Sequence, residues 1–152
     1  MSRPNQAGFT YLAALFLIVV MGIVLAAIGK VWSTAQQREK ERELLFVGNQ
    51  FRQAIGLYYQ HSPGGAKIFP EHLEDLLLDA RQLGTQRYLR KIYRDPMTGQ
   101  SEWALFVVNG RITGVYSMSQ EAPLKSSNFR LADKAFENSE KYGDWKFVYT
   151  PP

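Results

Sequence analysis

Few side chains in this sequence have the chemistry for a reaction, and none of them stands in a recognisable catalytic motif. The two histidines, His61 and His72, have no neighbouring cysteine and no paired carboxylate, and their separation is not that of a metal site. The sequence has no Gly-x-Ser-x-Gly elbow, no P-loop and no dinucleotide fingerprint. We therefore expect no catalytic residue, no metal ligand, no cofactor and no enzymatic activity.

Acidic residues gather near Pro70, and a pair of carboxylates is one arrangement used in general acid–base chemistry. They recur at three- and four-residue steps, opposite a set of leucines, so we interpret them as the solvent-exposed face of a short helix over residues 70–80. Pro70 and an acidic first turn both favour a helix start there. The acidic residues are Glu71, Glu74, Asp75 and Asp79.

Composition limits the other function classes. The chain has 152 residues, with 18 basic and 14 acidic residues and a net charge of +4. A basic balance can indicate a nucleic-acid partner, but the bases are scattered and interleaved with acids, so we expect none and attribute the charge to solubility. The absence of cysteine excludes disulfides and cysteine-ligated metals and leaves the compartment open.

An uncharged apolar run extends from Phe9 to Ile28. Twenty such residues form a helix of about 30 Å, which is the thickness of the hydrocarbon core of a bilayer. A cleaved secretory signal has a shorter apolar region behind a basic tract, and here only Arg3 precedes the run. A domain this small has too few residues to surround an apolar helix of this length. We therefore predict a transmembrane helix over residues 9–29.

The helical pattern continues from residue 30 to residue 60 with a different character. Residues 38–43 alternate in charge, as expected of a solvated helix. Apolar residues then recur at three- and four-residue steps, and the sequence SPGG at 62–65 ends the pattern. An unbroken helix over 9–60 is about 75–80 Å long. The stripe that we expect to face a folded domain consists of Leu44, Val47, Phe51, Ile55 and Tyr58.

Turn signals divide the remaining chain. Asp95 and Pro96 suit the first two positions of a turn, and Gly99 can take positive φ. Asn109-Gly110 joins two apolar runs, at 102–108 and 111–118, and this dipeptide is the strongest short-range signal for a β-hairpin.

The sequence of the C-terminal part predicts one helix and one strand. Residues 128–142 have helical spacing at Leu131, Ala132, Ala135 and Phe136, with Ser127 or Asn128 as the cap and Gly143 as the stop. The sequence WKFVY at 145–149 alternates like a strand. The predicted fold class is α+β, with a long N-terminal helix packed on a small antiparallel β-sheet head.

The stretch AGFTYLAALFLIVVMGIVLAAI resembles the class III signal of type IV pilins and type II secretion pseudopilins. In that family a short leader ends in glycine, and a membrane aspartyl protease cuts after it and methylates the new terminal phenylalanine. The resemblance implies a leader over residues 1–8, processing at Gly8, Phe9 and Thr10, and assembly through Phe9, Ala13 and Gly22.

Two further stretches extend the resemblance. YLRKIYRDPMTGQSEWALFVVNGRITGVYS is similar to the globular part of pseudopilins, and YSMSQEAPLK is similar to the serine-rich loop that follows their hairpin. Two features depart from common family patterns. The glutamate usual at the fifth mature position is Ala13, which is typical of minor or tip-located subunits, and the chain lacks the disulfide of many pilins, which favours a secretion pseudopilin.

The resemblance implies a pilin-like subunit with a pilin-like fold. Its periplasmic α+β head spans 61–152, its inner-membrane anchor is single-pass, and its partners are prepilin peptidase, the assembly platform and other pseudopilins. Some members bind calcium in a C-terminal loop, but Asp133, Glu137 and Asp144 lack an alternating ligand pattern, so we predict no metal. The resemblance places the head in the periplasm. Counting the basic residues on each side of the anchor predicts the opposite orientation, with the C-terminal part in the cytoplasm. A minor subunit of a type IV pilus and a membrane-anchored periplasmic binding domain are the alternatives.

Overall fold

A single helix dominates the N-terminal part of the chain. The computed structural model describes residues 7–82 and 84–152, and in it α1 runs without interruption over Ala7–Gln60. A 3₁₀ helix over Pro63–Gly65 follows, in which Gly64 has φ 72°. The predicted helix over 9–60 and its end at SPGG are therefore confirmed. The chain divides into two compact units between Gln37 and Arg38, so the last part of α1 belongs to the head.

The head contains a three-stranded antiparallel sheet. Its strands are β1 (Ala104–Val108), β2 (Arg111–Tyr116) and β3 (Phe147–Val148), in the order β1-β2-β3. Asn109 and Gly110 have φ values of 51° and 74°, as a type I′ turn requires. The predicted hairpin and final strand are confirmed, although each strand is shorter than the apolar run that indicated it.

The core of the head lies between α1 and the sheet. The stripe of α1 packs against side chains of β2, β3 and the C-terminal loops, among them the fully buried Trp145 and Tyr142. Gly48 brings the helix backbone against the ring of Phe147, because a Cβ at this position would overlap that ring. All five residues of the predicted stripe are buried, and Ala54 is buried beside them: Leu44, Val47, Phe51, Ile55 and Tyr58. These observations confirm the predicted fold class, a long helix on a small antiparallel sheet.

The predicted helix over 70–80 is wrong in length and type, because only a 3₁₀ helix over Leu73–Leu76 forms. The Asp75 carboxylate accepts hydrogen bonds from the backbone N–H groups of Glu71 and His72. Beyond this turn the carbonyl of Leu76 accepts from the N–H groups of two residues of a later segment, Tyr88 and Leu89. Long-range backbone bonds therefore replace the helical ones.

The predicted helix over 128–142 is also wrong. A 3₁₀ helix spans Leu131–Phe136, its N-cap is Arg130 without a side-chain bond, and Gly143 lies inside a second 3₁₀ helix over Tyr142–Asp144. Asn128 and Asn138 adopt positive φ and bracket the segment. Only Phe136 of the expected apolar face is buried; Leu131, Ala132 and Ala135 are exposed.

Candidate functional site

The first half of α1 is apolar and exposed. Every side chain from Phe9 to Ser33 is exposed in the single chain, and the Phe9 side chain retains 78% of its accessible surface. The first charged residue of α1 is Lys30. By length and composition this helix can cross a membrane. Apolar surface of this extent in water is strongly unfavourable, so this part of the chain requires lipid or another protein around it.

The residues predicted to act in processing lie at the start of α1. Gly8, Phe9 and Thr10 are helical, whereas residues 1–6 of the predicted leader lie outside the described residues. Phe9 and Ala13 are four residues apart and share one face of the helix. Gly22 is nine residues beyond Ala13, which places it on the opposite face, and a Cβ built there meets no atom within 4 Å. The structure therefore does not bring the three proposed assembly residues together.

Glu41 has a structural role that the sequence analysis missed. It lies in the charged run 38–43 that we expected to be solvated, yet its side chain is only 4% exposed. Its Oε1 accepts hydrogen bonds from the backbone N–H of Leu124 at 2.6 Å, the N–H of Lys125 at 3.1 Å and the hydroxyl of Tyr142 at 2.9 Å. The available signal was spacing: Glu41 precedes Leu44 by three residues and so extends the buried stripe.

Asp95 connects two loops through the core of the head. It is fully buried, and its Oδ1 accepts from the N–H of Met97 at 2.9 Å while its Oδ2 accepts from Ser117 Oγ at 2.7 Å. Gly99 has φ 74° and donates its N–H to the carbonyl of Asp95 at 2.7 Å, and Pro96 occupies the second position as predicted. The turn is confirmed, and the carboxylate additionally fixes the loop after the hairpin.

Asp79 contradicts the expectation of a solvated acidic face. It is only 1% exposed and binds Arg81, whose Nε and Nη2 each donate to the carboxylate at 2.8 Å. The Tyr88 hydroxyl also donates to it at 3.0 Å. Mainly because of the hydrogen bonds from Arg81, the pKa of Asp79 lies below its ordinary value, while burial raises the pKa of Tyr88. This group of three residues is called the Asp79 cluster below.

The Asp79 cluster also closes the C-terminal end of α1. Arg81 Nη2 donates to the Tyr58 carbonyl at 3.0 Å, and Nη1 donates to Ser62 Oγ at 3.0 Å. The guanidinium lies over the Tyr58 ring, with 3.5 Å from Cζ to the ring centroid. Burial is the main cause that raises the pKa of Tyr58. The helix thus ends in a set of charged and aromatic contacts that fixes a long-range loop on it.

Three of the remaining titratable candidates, Asp133, Asp144 and His61, are engaged in structural contacts. Asp133 binds Arg52 at 2.7 Å, and the Asp144 carboxylate accepts from the N–H of Lys141. His61 stacks on Tyr88, with its Nδ1 2.9 Å from the Leu57 carbonyl oxygen. Within residues 7–82 and 84–152, no three histidine or acidic side chains come together as a metal site requires.

The search for similar proteins returned no match to a protein-family model, to a curated protein or to a solved structure. The fold and the exposed helix therefore carry the functional argument, with the signal-like sequence around Gly8.

Proposed function

We propose that this chain is a pseudopilin subunit of a type II secretion system. In this proposal prepilin peptidase cuts after Gly8, and the mature chain assembles with other pseudopilins into a short periplasmic pseudopilus that supports protein export. The observation that carries the proposal is the exposed apolar half of α1, which begins directly at Gly8-Phe9 without a spacer.

Exposed apolar surface gives assembly a simple physical basis. In the membrane, lipid covers the first half of α1; in a filament, the corresponding surface of neighbouring subunits takes its place. The exchange replaces one apolar environment with another, so its net driving force is small, and extraction requires work from a separate motor. This chain has no nucleotide-binding motif in its sequence, which assigns that work to the assembly platform.

Ala13 favours a minor or tip position. A buried carboxylate in an apolar environment is costly unless a cation pairs with it, and in this family it is thought to pair with the terminal amine of a neighbour. Alanine at this position removes both the cost and the pairing. A subunit that need not join the repeating shaft, such as one at the tip, tolerates this loss best.

The first test is the intact mass and the N-terminal fragment spectrum of the protein extracted from membranes of its native host. We expect a chain that begins at N-methylated Phe9, and the full-length precursor in a strain without prepilin peptidase. Gly8→Glu should block processing, while Gln6→Glu, which adds the same charge two residues earlier, should leave processing intact. A mature chain that keeps Met1 in the presence of active peptidase contradicts the proposal and indicates an anchored binding domain.

Deletion of the gene separates the two assembly systems. Loss of exported enzymes from the medium, with surface fibres and twitching unchanged, supports the secretion pseudopilin. Loss of fibres or twitching with normal export instead indicates a minor subunit of a type IV pilus.

A further inference from the structure

The positive charge of this chain is concentrated in one short segment of the head. The whole sequence has 18 basic and 14 acidic residues. Residues 84–94 hold four basic residues and no acidic one, so the rest of the chain is balanced at 14 of each. Contrary to the expectation of scattered bases, the excess is local. The four residues, called the basic segment below, are Arg87, Arg90, Lys91 and Arg94.

The backbone of this segment is held firmly against the head. The N–H groups of Tyr88 and Leu89 both donate to the Leu76 carbonyl at 2.9 Å, and the indole Nε1 of Trp103 donates to the Tyr93 carbonyl at 2.8 Å. Leu89 is buried, and the ring of Tyr93 meets that of Phe51 edge to face. Apolar and aromatic residues therefore point into the core, and the backbone that carries the four cations between them is held in place.

All four cations of the basic segment are exposed, and none forms an ion pair with a described residue. The nearest acids along the chain, Asp79 and Asp95, are buried and already bonded to other groups. Arg87 Nη2 donates to the Arg90 carbonyl at 3.3 Å, and Arg87 and Arg90 line an open cleft of about 390 Å³. Four uncompensated charges on an ordered surface produce a strong local positive potential.

We propose that the basic segment binds a run of carboxylates on a polypeptide other than this chain. Three of the four cations are arginines, whose planar guanidinium donates two parallel hydrogen bonds to a carboxylate. The cleft between Arg87 and Arg90 has room for an acidic side chain. The rigid backbone lowers the ordering cost of binding. This inference does not depend on the proposed function, because it rests on the head alone.

Three other partners fit the observations less well. Single-stranded nucleic acid is bound by exposed aromatic rings, but Tyr88 is engaged with Asp79 and Tyr93 packs on Phe51. A lipid surface is flat and does not enter a cleft, and the segment has no exposed apolar anchor. A second copy also lacks a matching surface: in the described part, no stretch of eight residues exposes three acidic side chains without partners.

The test uses the full chain in a non-ionic detergent and a synthetic peptide that contains eight consecutive glutamates. Titration should show binding that weakens as the salt concentration rises from about 0.05 to 0.3 M, because exposed charges are screened over a shorter distance. The variant Arg87→Gln, Arg90→Gln, Lys91→Gln and Arg94→Gln should lose about tenfold or more in affinity. Unchanged tryptophan fluorescence confirms that this variant is folded.

A matched variant removes four other exposed bases and has the same net charge: Arg38→Gln, Lys67→Gln, Arg130→Gln and Lys134→Gln. Its affinity for the peptide should stay within about twofold of the original. Equal losses in the two variants, or no binding by the original chain, overturn the proposal. It is also overturned if a DNA duplex or phosphatidylglycerol vesicles bind more tightly than the peptide, or if the four substitutions change only self-association in sedimentation.

Discussion

The buried carboxylate of Asp79 contributes to the stability of the head through its ion pair with Arg81. Its carboxylate is buried in the Asp79 cluster, and removing it leaves Arg81 at the end of α1 without a counter-ion. We expect Asp79→Asn to lower the free energy of unfolding by about 3 kcal/mol, the low end for breaking a buried pair, because Arg81 stays partly exposed. Urea denaturation followed by the fluorescence of the buried Trp103 and Trp145 measures this change.

The pH dependence of the same variant gives an independent check. Because folding lowers the pKa of Asp79, the unfolded chain binds more protons in acid, so the contribution of this carboxylate is complete above its ordinary pKa. It is lost as pH falls through the lower folded pKa. The difference between wild type and Asp79→Asn should be constant above about pH 5 and shrink below about pH 4. The control is Glu74→Gln, which removes an exposed acidic residue nearby and should change the free energy of unfolding by less than about 0.5 kcal/mol. A larger change would mean that the effect is not specific to the buried Asp79.

At the scale of elements, the contact between α1 and β3 depends on a glycine. A Cβ on Gly48 would overlap the ring of Phe147, which is fully buried. Alanine has the higher helix propensity by about 1 kcal/mol, yet we expect Gly48→Ala to destabilise the head by about 1–3 kcal/mol, because overpacking a buried contact costs more than the propensity gains. The measurement is the urea midpoint of the full chain in detergent.

Gly29→Ala is the control, since a Cβ at Gly29 meets no atom within 4 Å. It should leave the midpoint unchanged or raise it slightly. If Gly48→Ala were as stable as Gly29→Ala, the helix and β3 would not pack as closely as the structure shows.

The helix α1 and the β-hairpin could be predicted because a short sequence pattern is enough to determine each of them. The apolar run and the stripe indicated α1, and Asn109-Gly110 indicated the hairpin because only a few residue types accept positive φ at both positions. The two short helices were wrong because partners far away in sequence override the helical spacing. The carbonyl of Leu76 bonds the segment at 88–89, and Asp133 pairs with Arg52, 81 residues away.

The candidate site was also predictable only in part from the sequence. The exposed apolar helix and the residues at its start follow directly from composition. The burial of Glu41 and Asp79 does not, because the local sequence around an acid looks the same whether the acid is solvated or bonded. The periodic position of Glu41 was an available clue; for Asp79 no local pattern distinguishes it from Glu74 or Asp75. Buried carboxylates that bind distant backbone or side chains become visible only in three dimensions.

At the scale of the whole molecule, the chain consists of a membrane-competent helix and a head with its own core. All core residues lie between Leu44 and Phe147, within the compact unit that begins at Arg38. We therefore expect a truncated chain of residues 38–152 to be soluble and to unfold in one cooperative transition, whereas the full chain should sediment with membranes. Fractionation and urea denaturation test both parts.

The position of the cut distinguishes a folded head from a merely soluble fragment. A chain of residues 53–152 lacks Leu44, Val47 and Phe51, three buried members of the stripe, and deleting even one large buried side chain costs about 2–5 kcal/mol. Native stability is commonly about 5–15 kcal/mol, so this shorter chain should show no cooperative transition. Equal behaviour of the two fragments would mean that α1 is not part of the core. A cooperative transition in 38–152 alone would locate the start of the head within one continuous helix, whose apolar first half is not needed for the head to fold.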